Sequence, residues 1–379
     1  MDLALIGGRV MTDQGLAEGL AVRLNGARIA AVGPAAEVAA GAQTRDLAGG
    51  LLLPGFIDVQ VNGGGGVLFN DAPSADSIAA IGAAHRRFGT TGFLPTLISD
   101  DLSVVEGAVA AVSEAIDKGA PGVLGVHIEG PFLNPRRKGI HEVSKLRAID
   151  EPAFRILTSL KRGKTLVTLA PETTTPEMIG RLAAAGVVVS AGHTNATYAT
   201  VRTALANGLT GFTHLFNAMS PLASREPGVV GAALEDATAW ASLIVDGRHV
   251  DPVVLKIALR TRPHEKFILV TDAMPSVGAE AKSFVLQGKK ITVKSGVCVD
   301  EHGTLAGSDL DMASAVRNAV KMLGLDLAEA SRMASRYPAE FLGLGDELGR
   351  IAPGLCADLV LLDEALQVRE TWIGGNSHG

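Results

Sequence analysis

The chain has 379 residues, 47% of them apolar and 20% charged, so a large core is available and disorder is excluded. A net charge of −6, with no basic run longer than Arg136-Arg137-Lys138, argues against nucleic acid as a partner. Two distant cysteines, Cys298 and Cys356, fit a reducing compartment and exclude a thiolate metal site, and no apolar run approaches the ~18 residues of a membrane span.

The amino terminus "MDLALIGGRVM" has an acidic second residue and too short an apolar run for a signal peptide, so a cytoplasmic location is expected. Residues 1 to about 53 alternate as short strands, with a hairpin signal at Asn25-Gly26. A strand-then-helix rhythm follows. Its strands are "GFIDVQVN", "GTTGFLPTL", "GVLGVHIEG", "TLVTLAPE", "GVVVSAGHT", "GFTHLFN", "ASLIVDG" and "KFILVTDAM". Helices are predicted over 74–88, 103–118, 151–162, 176–185, 197–207, 251–261 and 308–323. Residues 283–304 read as hairpins inserted after the eighth strand. The tail, "ELGRIAPGLCADLVLLD" and "VRETWIGG", returns to short strands.

Eight apolar strands alternating with helices imply a parallel sheet buried on both faces, and the count of eight favours a closed barrel. No Gly-x-Gly-x-x-Gly opens a helix after the first strand, which weakens a dinucleotide fold. The expectation is therefore an α/β protein: a (β/α)8 TIM-like barrel over 54–345, with a small β-sandwich domain built from 1–53 and 346–379.

Barrel chemistry sits at the carboxyl ends of the strands. Those ends carry Gln60 and Asn62, Thr96, Glu129, Glu172, His193, His214, Asp246 and Asp272. Glu129, His193 and His214 supply one oxygen and two imidazole nitrogens, the ligand set of a catalytic zinc with a fourth position for water. Such an ion lowers the pKa of its water toward ~7. Asp272 suits proton transfer to and from that water, the other reading being a group that orients a ligating histidine. His127, two residues before Glu129, reads as a packed, hydrogen-bonded histidine one layer down, and His85 as a surface residue. In the loop after strand three, His141 is either a donor to a substrate carbonyl or a mobile loop histidine. Asn217-Ala218 backbone, Arg225, Arg248 and His249, on loops after strands six and seven, suit a phosphate. Arg136 to Lys138 and the Gly63 to Gly66 run are weaker phosphate candidates.

Seven segments, "PGFIDVQVNGGGG", "HIEGPFLNPRRKGIHE", "SAGHTNATY", "THLFNAMSPLASREPG", "IVDGRHV", "LVTDAMPSVG" and "GRIAPGLCADLVLLD", resemble the amidohydrolase superfamily, and within it the family of N-acetylglucosamine-6-phosphate deacetylases. The resemblance spans nearly the whole chain. It implies a metal-dependent hydrolase barrel that cleaves the acetamide of the phosphosugar to glucosamine 6-phosphate and acetate. By motif position, Glu129, His193 and His214 hold the metal, Asp272 is the acid/base and His141 touches the acetyl carbonyl. Asn217, Ala218, Arg225 and His249 hold the sugar phosphate. The family implies a homodimer, with a phosphate contact from the partner subunit in some members. Members with His-x-His on strand one bind two metals, and those with Gln-x-Asn bind one. Gln60 and Asn62 thus mark a vestigial second-metal position and predict one divalent ion per subunit, zinc first, with iron, cobalt or manganese fitting similar geometry. Dihydroorotase-like and urease-like relatives need a lysine on strand four, where "LAPE" has none. Deacetylation of N-acetylgalactosamine 6-phosphate is the alternative, and a catalytically silent scaffold is the rival from another class.

Overall fold

The computed structural model describes residues 2–378. Eight parallel strands pair in chain order: β1 Phe56–Val61, β2 Thr90–Ile98, β3 Gly125–Glu129, β4 Lys164–Leu169, β5 Val188–Ala191, β6 Leu209–Phe212, β7 Trp240–Leu243 and β8 Phe267–Leu269. Past the end of β8, Ala273 bridges Val61 in parallel, and its carbonyl accepts the amides of Asn62 (2.9 Å) and Gly63 (3.1 Å). The result is a nearly closed barrel. Every residue of β1, β2 and β3 is buried, which is why these strands read as continuous apolar runs rather than alternating ones.

The helices that cover the strands are α1 Ala75–Arg86, α2 Leu102–Asp117, α3 Glu151–Leu157, α4 Pro176–Ala184, α5 Tyr198–Ala206, α6 Gly228–Glu235, α7 Pro252–Leu259 and α8 Met312–Asn318. Their starts are chemically marked: Ser74, Asp150, Thr175, Thr197, Asp251 and Asp311 each accept a backbone N–H of the first turn. Beyond β1, three helices had no counterpart in the sequence reading, namely α6 and, after α8, α9 Leu327–Ala334 and α10 Arg336–Phe341. α6 follows Pro227, contains Gly228 and Gly231, and has no side-chain cap, so its helicity comes from the buried face Val229, Val230, Ala232 and Ala233. α8 begins later than position 308 because Leu305–Ser308 is a strand.

Two sheets pack at the termini. One orders Arg28–Pro34, Leu20–Asn25, Asp2–Ile6 and Gln43–Asp46; the other orders Asn376–His378, Val368–Ile373, Leu359–Leu362, Leu51–Pro54, Arg9–Thr12 and Gly15–Ala17. Between them Leu5, Val22, Leu24 and Ile29 meet Val10, Leu52, Leu359, Leu361 and Trp372. Period-two alternation makes the second sheet two-faced: Leu52, Leu359 and Leu361 fill the sandwich, whereas Leu51, Leu53, Val360 and Leu362 join the barrel core. Leu51–Pro54 then runs through Gly55 directly into β1.

After β8, four antiparallel strands, Ser283–Leu286, Lys289–Lys294, Val297–Val299 and Leu305–Ser308, form the inserted sheet, one strand beyond the hairpins expected at 283–304. Leu286, Ile291, Cys298 and Ala306 seat it against Leu68, Ile98 and Met274 beside the barrel mouth.

One histidine differs from expectation. His85 is fully buried on α1, and its Nε2 pairs with the Gly63 carbonyl at 2.8 Å. The run "AAHRRFG" gave no hint of this, because the partner comes from the loop after β1.

Candidate active site

Glu129 ends β3, His193 follows β5, His214 follows β6 and Asp272 follows β8. The last three hold left-handed backbone, with φ of +47°, +35° and +52°. Non-glycine residues rarely adopt it, at a cost of order 1–3 kcal/mol each. Each twist lies just past its strand. The His214 amide is held by Ser242 Oγ (2.7 Å), the His193 carbonyl by the Asn134 amide (3.0 Å) and the Asp272 carbonyl by the Ser308 amide (2.9 Å).

Glu129 Oε1 lies 2.9 Å from His214 Nε2 and 3.3 Å from His193 Nε2, and the two Nε2 atoms are 3.1 Å apart. His193 Nδ1 is 2.9 Å from the Arg137 carbonyl and donates to it, which leaves the Nε2 lone pair facing Glu129 and His214. One carboxylate and two imidazoles therefore converge, and these buried groups fit a single divalent ion. Burial alone would raise the Glu129 pKa, but hydrogen bonds and charge from His193 and His214 hold it well below the usual range. Burial disfavours the His214 imidazolium, yet the bond to Glu129 and its charge raise that pKa.

Asp272 faces the same cavity. Burial, then the Glu129 charge, push its pKa up to about 6. The two strand-one amides lie between these carboxylates. Gln60 Nε2 is 3.1 Å from both Glu129 oxygens and 3.2 Å from Asp272 Oδ1, and Asn62 Nδ2 donates to Asp272 Oδ1 at 2.7 Å. Gln60 Oε1 and Asn62 Oδ1 are buried without partners.

His141 is buried, its ring 4.4 Å from that of His193. Its Nδ1 accepts the Ser99 amide (3.3 Å) and lies 2.7 Å from Ser99 Oγ, so the proton of the neutral ring resides on Nε2. Burial, then the neighbouring His193, depress its pKa well below the ordinary histidine value. Ser99 escaped the sequence reading because strand two was read as "GTTGFLPTL", with Thr96 as its terminal polar residue, whereas β2 runs to Ile98 and Ser99 follows it. His127 lies one layer down as expected, its Nε2 2.8 Å from Thr168 Oγ1, and burial lowers its pKa to about 4.

The cavity has a volume of about 360 Å³ and is lined by Glu129, His141, His193, His214 and Asp272, and also by Asn217, Ala218 and His249. His249 Nδ1 is 2.6 Å from Asp246 Oδ2, and its Nε2 is buried without a partner. Burial works against the Asp246 carboxylate, but the bond to His249 and its charge keep the pKa below the ordinary value. Arg225 is exposed and does not line the cavity of its own chain, whereas Arg136 and Arg137 do.

An amidohydrolase family model matches residues 51–377. The chain belongs to this family. Among similar amidohydrolases, an N-acetylgalactosamine-6-phosphate deacetylase from Shewanella is 44% identical over 97% of this chain and 94% of its own. An N-acetylglucosamine-6-phosphate deacetylase from Haemophilus influenzae is 38% identical over 99% of both chains. The structure of a point mutant of N-acetyl-D-glucosamine-6-phosphate deacetylase from Mycobacterium smegmatis, in complex with N-acetyl-D-glucosamine 6-phosphate, superposes with a TM-score of 0.92 at 34% identity, covering 99% of both chains.

Proposed function

We infer that this amidohydrolase cleaves the acetamide of N-acetyl-D-glucosamine 6-phosphate to D-glucosamine 6-phosphate and acetate. The observation that carries the reading is the convergence of Glu129, His193 and His214 within 3.3 Å, with Asp272 in the same cavity, in a chain similar to such deacetylases along its whole length. The galacto epimer is the second reading, favoured by the 44% identity to a deacetylase of that substrate.

Glu129, His193 and His214 would hold one divalent ion, zinc being best matched to a carboxylate and two imidazoles. When bound, it supplies Lewis acidity to the water and the acetyl carbonyl. The chain's own groups do the rest. Asp272 takes the proton of the attacking water on its carboxylate and returns it to the departing nitrogen. His141 donates Nε2–H to the acetyl oxygen as negative charge develops there. His249, held by Asp246, joins Asn217 and the Ala218 backbone around the phosphate.

Arg225 would reach the phosphate from the second subunit of a homodimer. Supporting this, its loop adjoins exposed apolar side chains, Leu222 at 57% and Ile257 at 53%, on a groove of about 270 Å³ that also includes Phe216, Met219 and Val254. No helix among the described residues is long and apolar enough to cross a membrane, and cysteine usage supports a cytoplasmic enzyme. The deciding experiment is acetate release from both epimers, with and without chelator. Metal-independent release, or none from either phosphosugar, would overturn the reading.

A further inference from the structure

Beyond β4, the turn Pro171–Thr173 presents a carboxylate that the chemistry above does not use. Glu172 lies outside the lining of the active-site cavity, yet it accepts three hydrogen bonds from neutral donors. They are Thr194 Oγ1 at 2.6 Å, the Asn195 amide at 2.6 Å and Asn134 Nδ2 at 2.8 Å. All three donors flank His193. Thr194 and Asn195 follow it in the chain, and the Asn134 amide bonds the His193 carbonyl at 3.0 Å. Asn134 also begins the loop that delivers Arg137, whose carbonyl takes the His193 Nδ1 proton and whose Nε reaches Asn195 Oδ1 at 2.9 Å.

We propose that Glu172 is the positioning residue for the metal ligand His193. It bolts the Thr194-Asn195 segment to Asn134, and so fixes both the left-handed backbone of His193 and the carbonyl that orients its ring. The need is physical: a φ of +47° at a histidine persists only where surrounding bonds over-determine it. Without the carboxylate, three donors lose their acceptor and the His193 backbone is free to relax toward ordinary values. The ring would then lose its aim at the point shared with Glu129 and His214. The inference rests on the metal-hydrolase reading.

The test is divalent-metal affinity, measured with zinc by competition against a chelating dye, on full-length folded protein. Glu172→Ala should weaken binding about 10–100-fold, as loss of a group supporting a ligand does. Glu172→Gln keeps one acceptor oxygen for Asn134 and Asn195 and should restore most of the affinity. Asn134→Ala removes the same tie without touching the charge, and should also weaken zinc binding if the Glu172 variants fold poorly. At saturating zinc, KM should stay near the parent value. A purely structural role would lower the Tm of Glu172→Ala and leave its zinc affinity at the parent value; that result overturns the proposal. A parent protein that binds no zinc would instead overturn the metal site itself.

Discussion

Gln60 sets its amide nitrogen 3.1 Å from each carboxylate oxygen of Glu129, so a neutral donor faces the carboxylate proposed to hold the metal, where an imidazole would offer a lone pair. A second ion is disfavoured there, because an amide NH₂ has no lone pair to give and amide oxygens bind zinc weakly beside imidazole. Elemental analysis of active protein should find about one divalent equivalent per chain. Dialysis against chelator should abolish acetate release, and one equivalent of zinc should restore it. A requirement for two equivalents would contradict this.

Asp272→Asn should lower kcat by about 10²–10⁴-fold, the usual contribution of a positioned acid/base, while the protein still binds its metal. The same residue sets a pH limb. As a base, Asp272 must be ionised, so activity falls as pH drops through its pKa. The pKa of about 6 includes a rise caused by the Glu129 charge, which a bound cation offsets. The limb of kcat/KM should therefore lie at or below pH about 6.

Arg225 offers a test of the homodimer. Arg225→Ala should raise KM for the phosphosugar, a loss of about 2–5 kcal/mol being typical for one partner of a hydrogen-bonded charge pair. Unphosphorylated sugar should be unaffected. Mixing Arg225→Ala with Asp272→Asn subunits should regain activity, since one mixed site would combine an intact Asp272 with the partner's arginine. Mixtures no better than the separate variants would argue that Arg225 acts elsewhere.

Asp358, at the edge of the sandwich, gives a stability test away from catalysis. Burial pushes its pKa up to about 6, against the Gly374 N–H it accepts at 2.7 Å and the charge of Arg28. The folded pKa exceeds the unfolded value of about 3.9. The penalty is thus absent below pH about 4, grows between about 4 and 6, and is complete above. It amounts to about 3 kcal/mol. Asp358→Asn retains an oxygen for Gly374, so its urea midpoint should gain on the parent as pH rises from 4.5 to 7. Equal gains at both pH values would count against this origin.

The sequence by itself determined the barrel and its rim. Eight buried runs with helices between them have few other solutions, and a polar residue closing an apolar strand, as at Glu129, His214 or Asp272, is visible because apolar neighbours make it conspicuous. α6 was hidden because its helicity depends on a buried face rather than on caps or propensity. Tertiary structure alone decided what those polar groups touch. The Ser99–His141 bond, the burial of His85 and the three ties to Glu172 join segments 22 to 42 positions apart, mostly in different βα units. It also decided that Arg225 is exposed and does not line its own cavity. Local patterning records which face of a strand is buried, but an aim set by a left-handed turn after the strand, as at His193, is enforced by partners that pattern cannot name.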